Sequence, residues 1–90
     1  MKINYDRLPE HMRTVARMYV ERGFEPGGFL LAVLANDLKE AFVRADDVNR
    51  DRMFDWVAWL RNDVPRRCHG SRDAVSIWMA HDGMEGASDE

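Results

Sequence analysis

The stretch "FLLAVLANDLKEAFVRA", residues 29–45, constrains the fold more than any other part of the chain. At about 100° per residue, Leu30, Val33, Leu34, Leu38, Ala41 and Phe42 fall on one stripe, and Leu31 and Ala35 widen it. A stripe that wide predicts a helix with neighbours on more than one side, the central member of a small bundle. Two polar residues, Asn36 and Asp37, sit in its middle, and Asp37 borders the stripe between Leu34 and Leu38. A carboxylate left alone there would cost several kcal/mol, so Asp37 is expected to pair with an arginine of a neighbouring helix or with the free amides at the start of the last helix.

The other segments separate at punctuation. "LPEHMRTVARMYVERG" places Pro9 and Glu10 in a first turn and Met12, Val15, Ala16, Tyr19 and Val20 at helical spacing before Gly23 ends the helix. "DD" after Ala45 caps a third helix over 47–62, and Pro65 breaks it. Ser71 caps a last helix carrying Ala74, Val75, Trp78 and Met79, which closes near Gly83. No useful run alternates as a strand would. The expected fold is all-α: one domain, a bundle of about four helices with short loops over residues 1–81.

The formal charge of −3 is unevenly spread. Asp82, Glu85, Asp89 and Glu90 crowd the last nine residues, leaving 13 bases against 12 acids in the rest. Residues 82–90 are therefore expected to be an acidic, flexible C-terminal tail. The longest apolar run, residues 29–35, falls far short of the roughly 20 residues that span a bilayer. Together with a single cysteine, Cys68, this predicts a cytoplasmic protein without membrane contact.

The third helix carries Met53, Phe54, Trp56, Val57, Trp59 and Leu60, a ring of apolar side chains wider than one core face. Trp56 and Trp59 share a side, and Phe54 points well away from both. Either a helix packed on two sides buries all of them, or one tryptophan or Phe54 stays partly exposed as an interface anchor, a role in which tryptophan is enriched. Arg61, Arg66, Arg67 and Arg72, against Asp63 alone, give a local excess of +3 over residues 61–72. Guanidinium stacks on rings and forks onto carboxylate or phosphate. The expected partner-binding set is thus Trp56, Trp59, Arg61, Arg66, Arg67 and Arg72.

Chemistry finds less support. Cys68, His69, His11 and His81 lack the spacing of a zinc site, and nothing sets a histidine against Cys68 as a base, so neither metal, cofactor nor catalytic residue is expected. A near-neutral body also lacks the basic footprint of a DNA-binding domain. A small nucleic-acid-binding regulator using the arginine-rich loop 61–72 is the alternative reading, and a homodimer through the aromatic helix is a third.

The runs "PGGFLLAVLANDLKEA", "RADDVN" and "GSRDAVSIW" resemble a family of small uncharacterised proteins encoded by phages and prophages, in which "PGxFLxAVLxNDLxEA", "RADxxN" and "GSxxxVxxW" recur. The likeness spans residues 8–80. It implies a bacterial-virus origin and an accessory role, and carries over no catalytic residue. The matching positions include Pro26, Gly27, Asn36, Asp37, Arg44, Asp46, Asn49, Gly70, Ser71 and Trp78, most of which read as turns or caps; Asn36, Asp37 and Arg44 are taken as structural polar residues. Phage accessory proteins of this size, anti-CRISPR proteins among them, commonly act by binding a host protein or ribonucleoprotein complex. The resulting expectation is a non-enzymatic accessory protein that binds and inhibits or modulates a bacterial host complex.

Overall fold

The structure, a computed structural model, describes residues 2–87. Every regular element among them is helical. A 3-10 turn at Glu10–Met12 leads into α1 (Arg13–Arg22), followed by α2 (Gly28–Leu34), α3 (Leu38–Arg44), α4 (Asp47–Asp51) and α5 (Met53–Asn62). A second 3-10 turn, Arg66–Cys68, precedes α6 (Arg72–Ala80) and α7 (Gly83–Ala87). The all-α expectation holds; the division into about four helices does not, because the spans 29–45 and 47–62 are each split in two.

The first split is written in Asn36 and Asp37. Asn36 takes φ +62°, the left-handed conformation asparagine tolerates better than most residues, and its amide donates to the Val33 carbonyl at 3.1 Å. The Asp37 amide reaches back to the Ala32 carbonyl at 2.9 Å, completing the pair of bonds that satisfies a helix C-terminus. Asp37 then starts the next helix, its carboxylate accepting from the Glu40 amide at 3.3 Å. The chain leaves the turn on a new axis. Ala41 faces inward, whereas Leu38, expected in the core, is 68% exposed and Phe42 is more than half exposed. The second split is slight: Arg52 interrupts α4 and α5 while its amide still bonds to the carbonyls of Val48 and Asn49.

Three caps sit where local chemistry places them. Gly23 ends α1 at φ +71°, Asp46 accepts from the Asn49 amide at 2.7 Å, and Ser71 accepts from the Ala74 amide at 3.0 Å. The Asn49 amide, with His11 Nε2 at 2.9 Å beyond it, holds the Asp46 carboxyl below its ordinary value.

The core gathers Leu8, Tyr19, Val20, Leu30, Leu34, Trp56, Trp59, Cys68 and Val75, all fully enclosed. Trp56 meets Trp59 edge-on at 5.7 Å between ring centroids and Phe29 at 5.3 Å. Each polar ring end ties a separate piece of chain to this centre. Trp56 Nε1 donates to Asn49 Oδ1, Trp59 Nε1 to the Asn4 carbonyl, and Trp78 Nε1 to the carbonyls of Tyr19 and Val20 at the end of α1. The Tyr19 hydroxyl donates to the Cys68 carbonyl at 2.6 Å. Among the described residues no buried side-chain nitrogen or oxygen lacks a partner.

The acidic tail expected from residue 82 onward starts as structure. Residues 83–87 form α7 alongside α1, with Gly83 buried and Met84 packed on the core; the last three residues of the expected tail lie outside the described residues. Apolar packing outweighs the local acidity there.

Cys68 offers a direct reading of this interior. Burial pushes its thiol up to about 12, so native protein at pH 8 is expected to react with a thiol reagent at least about a hundredfold more slowly than denatured protein. Native labelling within tenfold of the unfolded rate would contradict the enclosure.

Candidate functional site

Trp56 and Trp59 are both 0% exposed, so neither can touch a partner, and the expected anchoring role is corrected for both. The reason is a cover that helical periodicity does not reveal. The irregular segment before α1 reaches α5 directly: the Tyr5 ring lies 6.2 Å from Trp59, and the carbonyls of Asn4 and Arg7 accept from Trp59 Nε1 and Arg52 Nη2. Phe54 is the ring left outside, at 84% exposure. On α5 it shares an arc of about 60° with Val57 and Arg61, both exposed.

The arginines divide. Arg72 is exposed and also holds the fold: its Nη2 donates to Asp37 Oδ2 at 2.9 Å, joining the start of α6 to the turn between α2 and α3. This is the arginine pairing expected of Asp37, formed at a half-exposed helix cap instead of within a helix. Arg44 pairs with Glu40 one turn before it and lies against Gly28, where an added Cβ would approach its guanidinium to 2.8 Å. Asn36 is exposed and serves through its backbone. Arg61, Arg66 and Arg67 are exposed and form no ion pair among the described residues. Arg66 and Arg67 stand on the 3-10 turn after α5, and Asp63 beside them is taken by Arg7 Nε at 3.0 Å. Burial keeps the neighbouring His69 imidazole below its ordinary value, so it adds no charge to these arginines at neutral pH.

Replacing Asp37 tests the pairing. Asp37→Ala removes a helix cap and a partly exposed ion pair, worth together about 1–2 kcal/mol, and is expected to lower Tm by roughly 4–10 °C. Asp37→Asn keeps most of the cap and loses the charge; if thermal denaturation left its Tm at the wild-type value, the Arg72 pair would carry no stability.

A surface that sequence periodicity assigned to the interior emerges beside α5. Leu38, Phe42 and Val43 of α3 are all more than half exposed, and with Lys39, Arg50 of α4 and Met53 of α5 they line an open groove of about 630 Å³. The Arg50 guanidinium lies over the Phe42 ring, 4.9 Å from its centroid. From Met53 the apolar surface continues one turn along α5 to Val57, with Phe54 alongside. A signal for this exposure was present in "DLKE", since an aspartate three residues before a glutamate marks a helix start and so a change of axis.

Among the described residues no three His, Cys, Asp or Glu side chains gather as a metal site would need, and no helix is long and apolar enough to cross a membrane. Neither a protein family, nor a curated protein, nor a solved structure matches the chain.

Proposed function

We propose that this chain is a non-enzymatic, phage-type accessory protein that binds a protein complex of its bacterial host, in the host cytoplasm, and inhibits or modulates it. One observation carries the reading. Leu38, Phe42, Val43, Phe54 and Val57 leave more than half of their surface in water on adjoining helices, while the same chain encloses three indoles completely or nearly so. A sequence able to bury Trp56 to 0% gains nothing in folding from an 84% exposed Phe54, so the benefit of such a patch comes from a second molecule. The resemblance of residues 26–41, 44–49 and 70–78 to small phage-borne proteins implies an accessory role, and a host target of the anti-CRISPR kind follows from that class of protein and from no residue of this chain.

A nucleic-acid regulator draws on a different observation, the three unpaired guanidinium groups of Arg61, Arg66 and Arg67. The two readings separate by salt, because phosphate binding weakens steeply between about 50 and 200 mM while apolar docking does not.

The experiment is site-specific photo-crosslinking in host cells with a benzophenone amino acid at position 54 or 42, alongside capture by the wild-type chain and by Phe54→Glu. The expected result is a crosslinked host protein whose capture falls at least tenfold with Phe54→Glu at unchanged Tm. No crosslink from either position, or equal capture by both chains, would overturn the proposal.

A further inference from the structure

We infer that the groove between α3, α4 and α5 receives an amphipathic helix of the partner protein whose apolar stripe is flanked by carboxylates. The inference rests on the protein-binding reading and adds the chemistry of the bound segment. Four side chains, Leu38, Phe42, Val43 and Met53, supply its apolar floor and walls, and among the described residues the only charges lining it are Lys39 and Arg50. Among the described residues no carboxylate lines it: Glu40 is taken by Arg44, Asp55 by Arg52, and Asp47 and Asp51 stand outside the lining. Lys39 is exposed with no ion pair among the described residues. Arg50 is held by the Phe42 face and by the Ala45 carbonyl at 3.3 Å, with only a long 3.9 Å contact to Asp47, so it is oriented yet retains donors for a visitor.

The shape of the occupant follows from what the surface lacks. Strand addition needs an open sheet edge, and every regular element among the described residues is a helix. A trough between helices instead accepts side chains from one face of another helix, at i, i+3, i+4 and i+7. Its charge excludes two rivals. A second copy docked about a two-fold axis through the groove would set Lys39 and Arg50 against their own counterparts, with no lining acid to offset them. A nucleic-acid strand would meet two cations around an apolar floor and find denser positive charge at Arg66 and Arg67.

The test uses two fluorescein-labelled peptides of roughly 18 residues, about five helical turns. Both carry leucine at i, i+3, i+4 and i+7; one has glutamate at the flanking positions and the other lysine. By fluorescence anisotropy the acidic peptide is expected to bind the full chain about tenfold more tightly. Lys39→Glu, at an exposed side chain with no ion pair among the described residues, is expected to narrow that preference, Lys39→Glu with Arg50→Glu to reverse it, and Phe42→Ala to weaken both peptides. Equal affinities, no binding of either peptide, or a preference unmoved by Lys39→Glu would overturn the inference. So would displacement of the acidic peptide by a thymidine oligonucleotide, or a dimer in sedimentation that Phe42→Ala abolishes. Should position 54 still crosslink to a host protein in any of these cases, the protein-binding reading stands and the acidic-helix inference alone falls.

Discussion

Trp56→Ala is expected to leave the chain largely unfolded at 37 °C. Truncating an enclosed tryptophan costs about 3–5 kcal/mol through lost transfer energy and the cavity left behind. A second loss is specific to this site. Asn49 is the one buried polar residue among those described, 3% exposed, and its Oδ1 accepts from Trp56 Nε1. Without the indole that oxygen stays in the interior unbonded, which adds about 1–3 kcal/mol. The total approaches the whole stability expected of ninety residues, roughly 5–13 kcal/mol. Trp59→Ala should be milder, because the Asn4 carbonyl that Trp59 serves belongs to an exposed residue and can take a water. Trp56→Phe keeps most of the volume, loses only the donor, and should fall between wild type and Trp56→Ala. Thermal and urea denaturation read out the series. A Trp56→Ala chain melting within a few degrees of wild type would mean that α5 does not form the centre of the core.

The contrast between α5 and α3 shows what one sequence reveals and what it hides. Caps were legible at Gly23, Asp46 and Ser71 because their chemistry is local, a side-chain oxygen or a left-handed glycine acting within four residues. Asp37 was legible as a residue needing a partner, an arginine or the free amides of the last helix, and Arg72 is the partner found. Its place at a helix start was signalled only by "DLKE", and the hydrophobic period, which runs in phase through the turn, masks that signal. Leu38 and Phe42 keep the spacing of Leu30 and Leu34 while the Asn36 conformation swings them away from the core. Periodicity reports which residues share a face and is silent about where that face points once the axis bends.

On α5 the reverse happened. Its excess of rings suggested an exposed tryptophan, yet Trp59 is covered by Tyr5 and bonded to the Asn4 carbonyl, in a segment that forms no regular element. Tertiary cover of that kind leaves no mark on the helix it covers. The geometry of α5 itself still singled out Phe54 as the ring diverging from both tryptophans. The candidate surface was therefore half legible: the α5 edge from angular spacing, the α3 edge only once the turn at Asn36 and Asp37 is seen.

The junction of α7 with α1 supplies the other large effect. Gly23 and Gly83 both adopt left-handed backbone, at φ +71° and +66°, and their main chains touch. A Cβ on Gly83 would stand 2.5 Å from the Gly23 nitrogen and 2.8 Å from the Arg22 nitrogen, and one on Gly23 would stand 2.7 Å from the Gly83 nitrogen. These are backbone atoms at a helix end, so no side chain can rotate away to make room. Gly83→Ala therefore combines left-handed strain of about 1 kcal/mol with overpacking of about 1–3 kcal/mol. The small interface of α7, a short helix contributing Met84 to the core, cannot absorb that sum. The expected result is release of α7 with the rest of the core intact: faster proteolysis after residue 80, a loss of helical circular dichroism matching one short helix, and a fall in Tm of roughly 8–20 °C. Gly27→Ala, where an added Cβ meets nothing within 4 Å, is the control and should melt as wild type does. If Gly83→Ala matched that control in both Tm and proteolysis, the two glycines would not be in contact, and the packing of the C-terminal helix against α1 would have to be redrawn.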